Sequence, residues 1–326
     1  MQLINITGYQ YSGKGAYLNL LRNDKSIGFL PKGTEFELFR INDGLIDLRN
    51  SLVEDWSISR VDVSIKKFLK LCEILNNQKA SWANPSLFFK PNGHSYSKYF
   101  PNFYKITDSF VKQITNYSIK QYWPFYQFYD GGMQSFSKKI IRNTINKKYG
   151  KFNHVQYSIL DQKNIDQIIY NYIEKVFKAS NKKFFIIDNG FDPSLILKYS
   201  KIYPKIKHII VDRDPRDIYV ETIQKNLNHI NVDVSYAKNF IKTYDFIKSK
   251  VDKVQSKNVL KVAFEHLYLD PEKKYYEIMN FLNIKYDKNL LKSLNLYGSI
   301  GLWNEYPNKS EIRVIENYLI KKNQKI

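Results

Sequence analysis

Cysteine is nearly absent, with Cys72 the one thiol in 326 residues. An intrachain disulfide is therefore impossible, and a cysteine-based zinc cluster is excluded with it. Histidine does not make up the deficit, because His154, His208, His229 and His266 show no ligand spacing. Long apolar runs are also missing: no stretch approaches the roughly 18 apolar residues of a membrane-spanning helix. The opening residues, MQLINITGYQ, lack the basic region and apolar core of a secretory leader. These absences predict a soluble protein in a reducing, cytoplasmic compartment. No internal repeat or low-complexity linker divides the chain, so its length suits one large domain carrying an insertion.

Acidic residues are the other shortage. Asp and Glu number 31 against 51 Lys and Arg, leaving a formal charge of +20. Such an excess fits an anionic partner (nucleic acid, a polyanionic polymer, a membrane surface or a phosphorylated cofactor) or a lysine-rich solvated surface. Aromatic residues, by contrast, reach 16%. They crowd the stretch from about Ser81 to Lys151, as in YWPFYQFYDGG at 122–132, where periodicity is poor. An insertion or lid subdomain at about 81–151 is expected there. Trp82, Tyr122, Trp123 and Tyr126 could stack on sugar rings or could pack a core.

Elsewhere short apolar runs alternate with helical patterns. Strands are expected at Leu3 to Thr7, Glu35 to Ile41, Phe184 to Asp188, His208 to Arg213 and Val259 to Phe264. Helices are expected at Ala16 to Arg22, Leu195 to Tyr203, Asp214 toward Asn228, Tyr236 to Val254 and Pro271 to Leu282. This alternation predicts an α/β fold: a doubly wound parallel sheet of the P-loop type with flanking helices. Such sheets bind ligands beyond the carboxyl ends of their strands.

Two segments fall at those ends. Gly8-Tyr9-Gln10-Tyr11-Ser12-Gly13-Lys14-Gly15 follows the first strand and opens the first helix. Backbone N–H groups of such a loop, with the positive helix end and a lysine, cradle an anion. A nucleotide triphosphatase would need Ser or Thr after the lysine to hold magnesium, and here that position is Gly15. The second segment is KHIIVDRDPRDIYVETI at 207–223. Asp214 and Pro215 fit the cap and first position of a helix. Arg213 and Arg216 would then stand at its N-terminus, either binding phosphate or pairing with aspartates.

The second segment resembles the 3′-phosphate-binding segment of sulfotransferases that use 3′-phosphoadenosine 5′-phosphosulfate (PAPS). GYQYSGKG resembles that family's 5′-phosphosulfate loop, and AFEHLYLDPEKKYYEIMNFLNI at 263–284 resembles its E-D-L…D-P-E…F-L-G-I block. GSIGLW at 298–303 resembles the late segment that closes over the cofactor. The resemblance implies sulfuryl transfer from PAPS, without a required metal, leaving 3′,5′-adenosine bisphosphate. It implies that Tyr11, Ser12, Gly13, Lys14, Gly15 and Ala16 surround the phosphosulfate. Arg213, Arg216 and Thr222 would hold the 3′-phosphate, with Gly301 and Trp303 closing the site. Glu35 would be the general base, as its placement resembles that of the base in glycan and tyrosine sulfotransferases. Glu37 and Asp188 come next, His94 is an alternative base, and Glu265 is expected to be structural. The acceptor would be a hydroxyl or amine, most naturally of a carbohydrate.

Three positions depart from the family pattern. Tyr11 stands where Lys or Arg is usual, and Lys14 stands where Ser or Thr is usual. Glu221 replaces the helix serine expected eight residues after Arg213, with Thr222 beside it. Two other functions remain open to the residues themselves. One is a P-loop kinase or nucleotide hydrolase, with Asp188 or Asp212 as its metal-side carboxylate; the other is a non-catalytic nucleic-acid-binding protein.

Overall fold

The computed structural model describes residues 1–9, 11–77, 94–122, 152–225, 236–293 and 300–323. Trp82, Trp123, Tyr126 and His229, with most of the aromatic-rich stretch, lie outside these residues. The chain divides into two compact units, one of residues 1–40 with 177–326 and the other of residues 41–176.

In chain order the first unit begins with β1 (Gln2–Gly8), α1 (Lys14–Leu21), β2 (Ile27–Phe29) and α2 (Glu37–Arg40). The second unit holds α3 (Leu45–Val53), α4 (Ile58–Asn76), α5 (Tyr96–Tyr99), α6 (Phe103–Ile114), β3 (Tyr117–Tyr122), β4 (Phe152–Tyr157) and most of α7 (Gln162–Lys178). The first unit then resumes with β5 (Phe184–Asp188), α8 (Ile196–Tyr199), β6 (Lys207–Asp212), α9 (Pro215–Gln224), α10 (Ala237–Asp252), β7 (Val259–Ala263), α11 (Phe264–Leu269), α12 (Pro271–Leu282) and α13 (Lys309–Asn323).

The first unit is built on a five-stranded sheet ordered β2-β5-β1-β6-β7, with every pairing parallel. This is the α/β architecture that the alternating pattern predicts. Strand β1 lies at its centre, and Leu3 through Thr7 are all buried, the unbroken burial expected of a parallel strand covered on both faces. Its two buried polar residues serve as ties. The single hydroxyl proton of Thr7 is shared between the Phe191 carbonyl (2.9 Å) and Asn189 Oδ1 (3.0 Å), and Asn5 Oδ1 accepts from the Phe191 N–H (3.3 Å). The turn after β5 is thereby fixed against the central strand. A core of Ile4, Ile6, Ile209, Val211, Tyr17 and Met279 fills one side of the sheet.

Two expected elements differ. The stretch from Glu35 to Ile41 is not a strand: it turns into α2, and the edge strand β2 lies earlier. Phe36 and Phe39 explain the change. Three residues apart, both are fully buried with ring centroids 4.8 Å apart, a helical rather than an alternating arrangement. The helix expected over Leu195 to Tyr203 is one turn, α8, followed by a 3-10 turn at Ser200–Ile202. Tyr203 precedes Pro204, which disfavours helical backbone at that residue, and its ψ of 81° leaves the helix region.

In the second unit, α4 and α6 bury Phe68 and Phe110 against Tyr172 of α7, with the Phe110 and Tyr172 rings stacked 4.3 Å apart. Cys72 is fully buried beside them, and burial pushes its thiol pKa far up, so it is packed rather than reactive. Arg49, almost enclosed, pairs with Asp166 at 2.6 Å. Strands β3 and β4 form an antiparallel pair. Among the described residues no helix is long and apolar enough to cross a membrane.

Candidate functional site

Four adjacent parallel strands, β5, β1, β6 and β7, deliver chemistry-bearing residues at or just past their carboxyl ends. They are Asp188, the loop leading to Lys14, Arg213 and Phe264 respectively. Part of this edge opens into a cleft of about 480 Å³, walled by Tyr11 to Ala16 and Asn19 on one side and by Arg213, Glu221, Lys225 and Phe264 on the other.

The loop between β1 and α1 owes its shape to two glycines. Gly13 sits at φ 82°, and a Cβ there would overlap the ring of Phe264. A Cβ on Gly8 would overlap Ser12 Oγ and the Val211 carbonyl. Tyr11 also takes a left-handed conformation, at φ 55°. The Ser12 N–H closes back on the Tyr9 carbonyl and the Ala16 N–H on the Gly13 carbonyl, each at 3.0 Å. Gly15 differs from its neighbours, because a Cβ there would meet nothing within 4 Å. Helix α1 carries no acidic residue in its first turn, so none of its own side chains offsets the positive end facing the cleft.

Lys14 points from this loop into a cluster of carboxylates. Its Nζ donates to Asp188 Oδ1 at 2.6 Å and to Glu35 Oε1 at 3.1 Å. Glu35 is further held by Asn189 Nδ2 at 2.5 Å and by Arg40. Burial is the largest influence on Glu35 and pushes its pKa up. Lys14 and Arg40, with the hydrogen bonds, outweigh it and leave the carboxyl below its ordinary value. Asp188 goes the other way: burial, with the Glu35 charge adding, raises it despite Lys14. Glu37 is raised by burial against the pull of Arg40, with the charges of Glu35 and Asp188 adding to the rise.

Arg213 is the second cation of the cleft. Its Nη1 donates to the Tyr11 carbonyl at 2.9 Å, its guanidinium lies 5.1 Å over the Phe264 ring, and it pairs with Glu221. Lys225 takes the other oxygen of the same carboxylate and lies 4.8 Å from the Tyr11 ring centroid. Burial pushes Glu221 up, yet Lys225 and Arg213 together hold it below the usual carboxylate range. Phe264 thus touches both sides of the site, supporting Arg213 and filling the space that Gly13 leaves.

Other expected site residues are placed differently. Asp214 caps α9 by accepting the Arg216 N–H (2.8 Å), and Pro215 is its first residue, as the sequence implies. Arg216 is engaged by Asp214 and Glu316, and its guanidinium stacks 3.9 Å over Trp303. Asp217, which the sequence reading overlooked, accepts the N–H groups of Gly301 (2.9 Å) and Trp303 (3.3 Å), tying that late segment to α9 rather than to the cleft wall. Thr222 is buried, and its hydroxyl donates to the Ile218 carbonyl at 2.7 Å, so Glu221 and not Thr222 faces the cleft. Glu265 accepts the Asp214 N–H at 2.8 Å, a structural task. His94 belongs to the other compact unit, where its ring stacks on Tyr96. Asn19 and Lys225 line the cleft without any motif to flag them, and Phe264 lines it from within the 263–284 block, where no site role was expected of it.

No protein-family model matches the chain, and no curated protein matches it. Among solved structures it is similar to the sulfotransferase domain of the Synechococcus PCC 7002 olefin synthase, at 14% identity and a TM-score of 0.43, covering 98% of this chain and 94% of that one. It is also similar to the sulfotransferase domain of the curacin biosynthetic pathway, at 12% identity and a TM-score of 0.40, covering 98% and 97%. A third is the sulfotransferase STF1 of Mycobacterium tuberculosis, at 11% identity and a TM-score of 0.37, covering 97% and 75%.

Proposed function

We propose that this chain is a sulfuryl-transferring enzyme that uses an adenosine phosphosulfate donor, with a carbohydrate hydroxyl or amine as acceptor. One observation carries the reading. The glycine loop and Arg213, at the carboxyl ends of two adjacent parallel strands, wall one cleft that among the described residues holds three cations against one carboxylate. Anion capture by loop N–H groups, a helix end and a lysine is the chemistry that arrangement supports. Gly15 offers no side-chain oxygen for a metal between the phosphates, which favours a sulfuryl donor over a nucleoside triphosphate.

The donor that the sequence resemblance implies is PAPS, and its two ends fit unequally. The loop suits a phosphosulfate: Gly13 keeps the backbone in its left-handed turn, and Lys14 stands at the first position of α1. The 3′-phosphate fits poorly, because Glu221 already holds Arg213 and Lys225, while Thr222 spends its hydroxyl on the helix backbone.

For transfer, the acceptor oxygen or nitrogen bonds to sulfur as the sulfur–oxygen bond to the nucleotide phosphate breaks, and that oxygen leaves with the electron pair. The acceptor's proton needs a base, and Glu35 is the base proposed here, since its neighbours favour the ionised form and a third of its side chain is exposed. Lys14 couples the two events. An anion in the loop draws Lys14 toward itself, relieving Glu35 of one counter-charge and strengthening it as a base. The carbohydrate part rests on the aromatic-rich sequence at about 81–151 and on the basic composition.

A thermal-shift titration with adenosine nucleotides tests the reading, run beside ATP with and without magnesium. Stabilisation by an adenosine 5′-phosphate ligand without magnesium, lost in Arg213→Ala, supports it. Stabilisation by magnesium-ATP alone would replace it with a kinase.

A further inference from the structure

We infer that the cleft selects a nucleotide whose ribose carries a free 3′-hydroxyl and rejects one phosphorylated there, with Glu221 as the discriminating residue. This rests on the adenosine phosphosulfate reading above and departs from PAPS as the donor. The observation behind it is the occupancy of the second pair of cations. Arg213 and Lys225 both face the cleft, and both are already bound by the two oxygens of one carboxylate that faces the same cleft.

Of the two partners of Glu221, Arg213 is fixed in place while Lys225 is half-exposed. Arg213 has a side chain only 2% exposed, held by the Tyr11 carbonyl and the Phe264 ring. Lys225 is one helical turn from Glu221 and rests against the Tyr11 ring. A phosphate arriving here would have to expel the carboxylate or lie beside it. Expulsion strips Glu221 of its enclosed pair with Arg213, and coexistence sets like charges in contact. Protonation offers no escape at neutral pH, since those same cations favour the ionised form.

A sugar hydroxyl meets the opposite situation. It donates to a carboxylate oxygen without displacing either cation, because each carboxylate oxygen accepts more than one hydrogen bond. Nucleotide sites use the same logic elsewhere, an acidic residue taking the unphosphorylated ribose and an arginine accommodating the phosphorylated one. Here the arginine is present but its acidic neighbour has claimed it. Thr222 supplies no substitute contact for a phosphate. Selectivity therefore arises chiefly from a repulsive element facing the wrong ligand.

Calorimetric titration of the full chain with adenosine 5′-monophosphate and with adenosine 3′,5′-bisphosphate tests this, in the wild type, Glu221→Gln and Glu221→Ser. Circular dichroism establishes that each variant is folded. The wild type should bind the monophosphate at least about ten-fold more tightly than the bisphosphate, equivalent to about 1.4 kcal/mol. Both variants should gain about ten-fold or more for the bisphosphate and so lose or invert the preference. A wild type that binds the bisphosphate as well as or better than the monophosphate overturns the proposal, as does a ratio unchanged in a folded variant. If neither nucleotide binds any of the three proteins, the adenosine-nucleotide reading itself fails and takes this proposal with it.

Discussion

Lys14 and Arg213 line the same cleft in different company. Lys14 reaches two carboxylates, Glu35 and Asp188, that do not themselves line the cleft, and 19% of its side chain stays exposed on a flexible stem. Arg213 is almost fully enclosed, and its partner Glu221 stands in the cleft wall. An anion can therefore pull Lys14 out of its cluster, whereas at Arg213 it must first contend with Glu221. Where the counter-charge sits decides whether a cation is available, more than how many counter-charges it has.

The largest effect is expected from removing the fixed cation. Arg213→Ala breaks an enclosed ion pair, frees the Tyr11 carbonyl and unsupports Phe264; with Lys225 still pairing Glu221, the expected loss is about 3 kcal/mol. Denaturant unfolding measures it, and a loss under about 1 kcal/mol would mean that the arginine is not pinned as described.

Glu35→Gln probes the other cation through its partner. It keeps the Asn189 contact region filled and leaves Asp188 on Lys14. Turnover should fall about 100-fold with little change in unfolding stability. Steady-state release of nucleotide product measures the first, and retained turnover would move the base to another residue.

Next come the glycines that separate the two sides. Gly13→Ala forces a Cβ into the Phe264 ring at positive φ and should cost about 2 kcal/mol. Gly15→Ala meets open space within α1 and should be neutral or stabilising by about 0.5 kcal/mol. Melting curves of the pair separate strain from mere helix propensity, and equal losses would contradict the packing of Phe264 against the loop.

The smallest effect concerns pH. Asp188 is raised by burial, so its ionised form is disfavoured in the fold; its contribution to stability falls as pH rises through its folded value and returns on acidification. Glu221 is lowered, so its contribution is present above its unfolded pKa and is lost only as pH falls through the lower folded value. Going from neutral to acidic pH, Asp188 takes up its proton earlier than an ordinary aspartate, which should loosen Lys14 and tighten pyrophosphate binding by about three-fold. Asp188→Asn should show the tighter value at both pH values, read by calorimetry. An equal pH response in that variant would assign the effect elsewhere.

Much of the fold could be read from local pattern. Phe184 to Asp188 is a short buried-strand pattern ended by Gly190 and Pro193, and it is strand β5 to the residue. Asp214-Pro215 announces a helix start and caps as expected, and the helix expected from Pro271 begins there, capped by Asp270. Local pattern failed at Phe36 and Phe39, because alternation and a single helical turn look alike over five residues. The cleft was legible only in part. The glycine loop and Arg213 carried motifs with a site role, Phe264 stood in the 263–284 block without one, and Lys225 and Asn19 carried none.

Sequence alone determined the parallel α/β architecture, the phosphate-type loop and the capped helix after β6, since each depends on periodicity or on neighbours a few residues apart. Tertiary structure alone decided who holds whom: Lys14 with an aspartate 174 residues away, Arg213 with a loop carbonyl 202 residues away, and Thr222 turned inward so that Glu221 faces the cleft. Such pairings follow from which strands lie side by side and which face of a helix is buried, and neither is written in any local stretch of the chain.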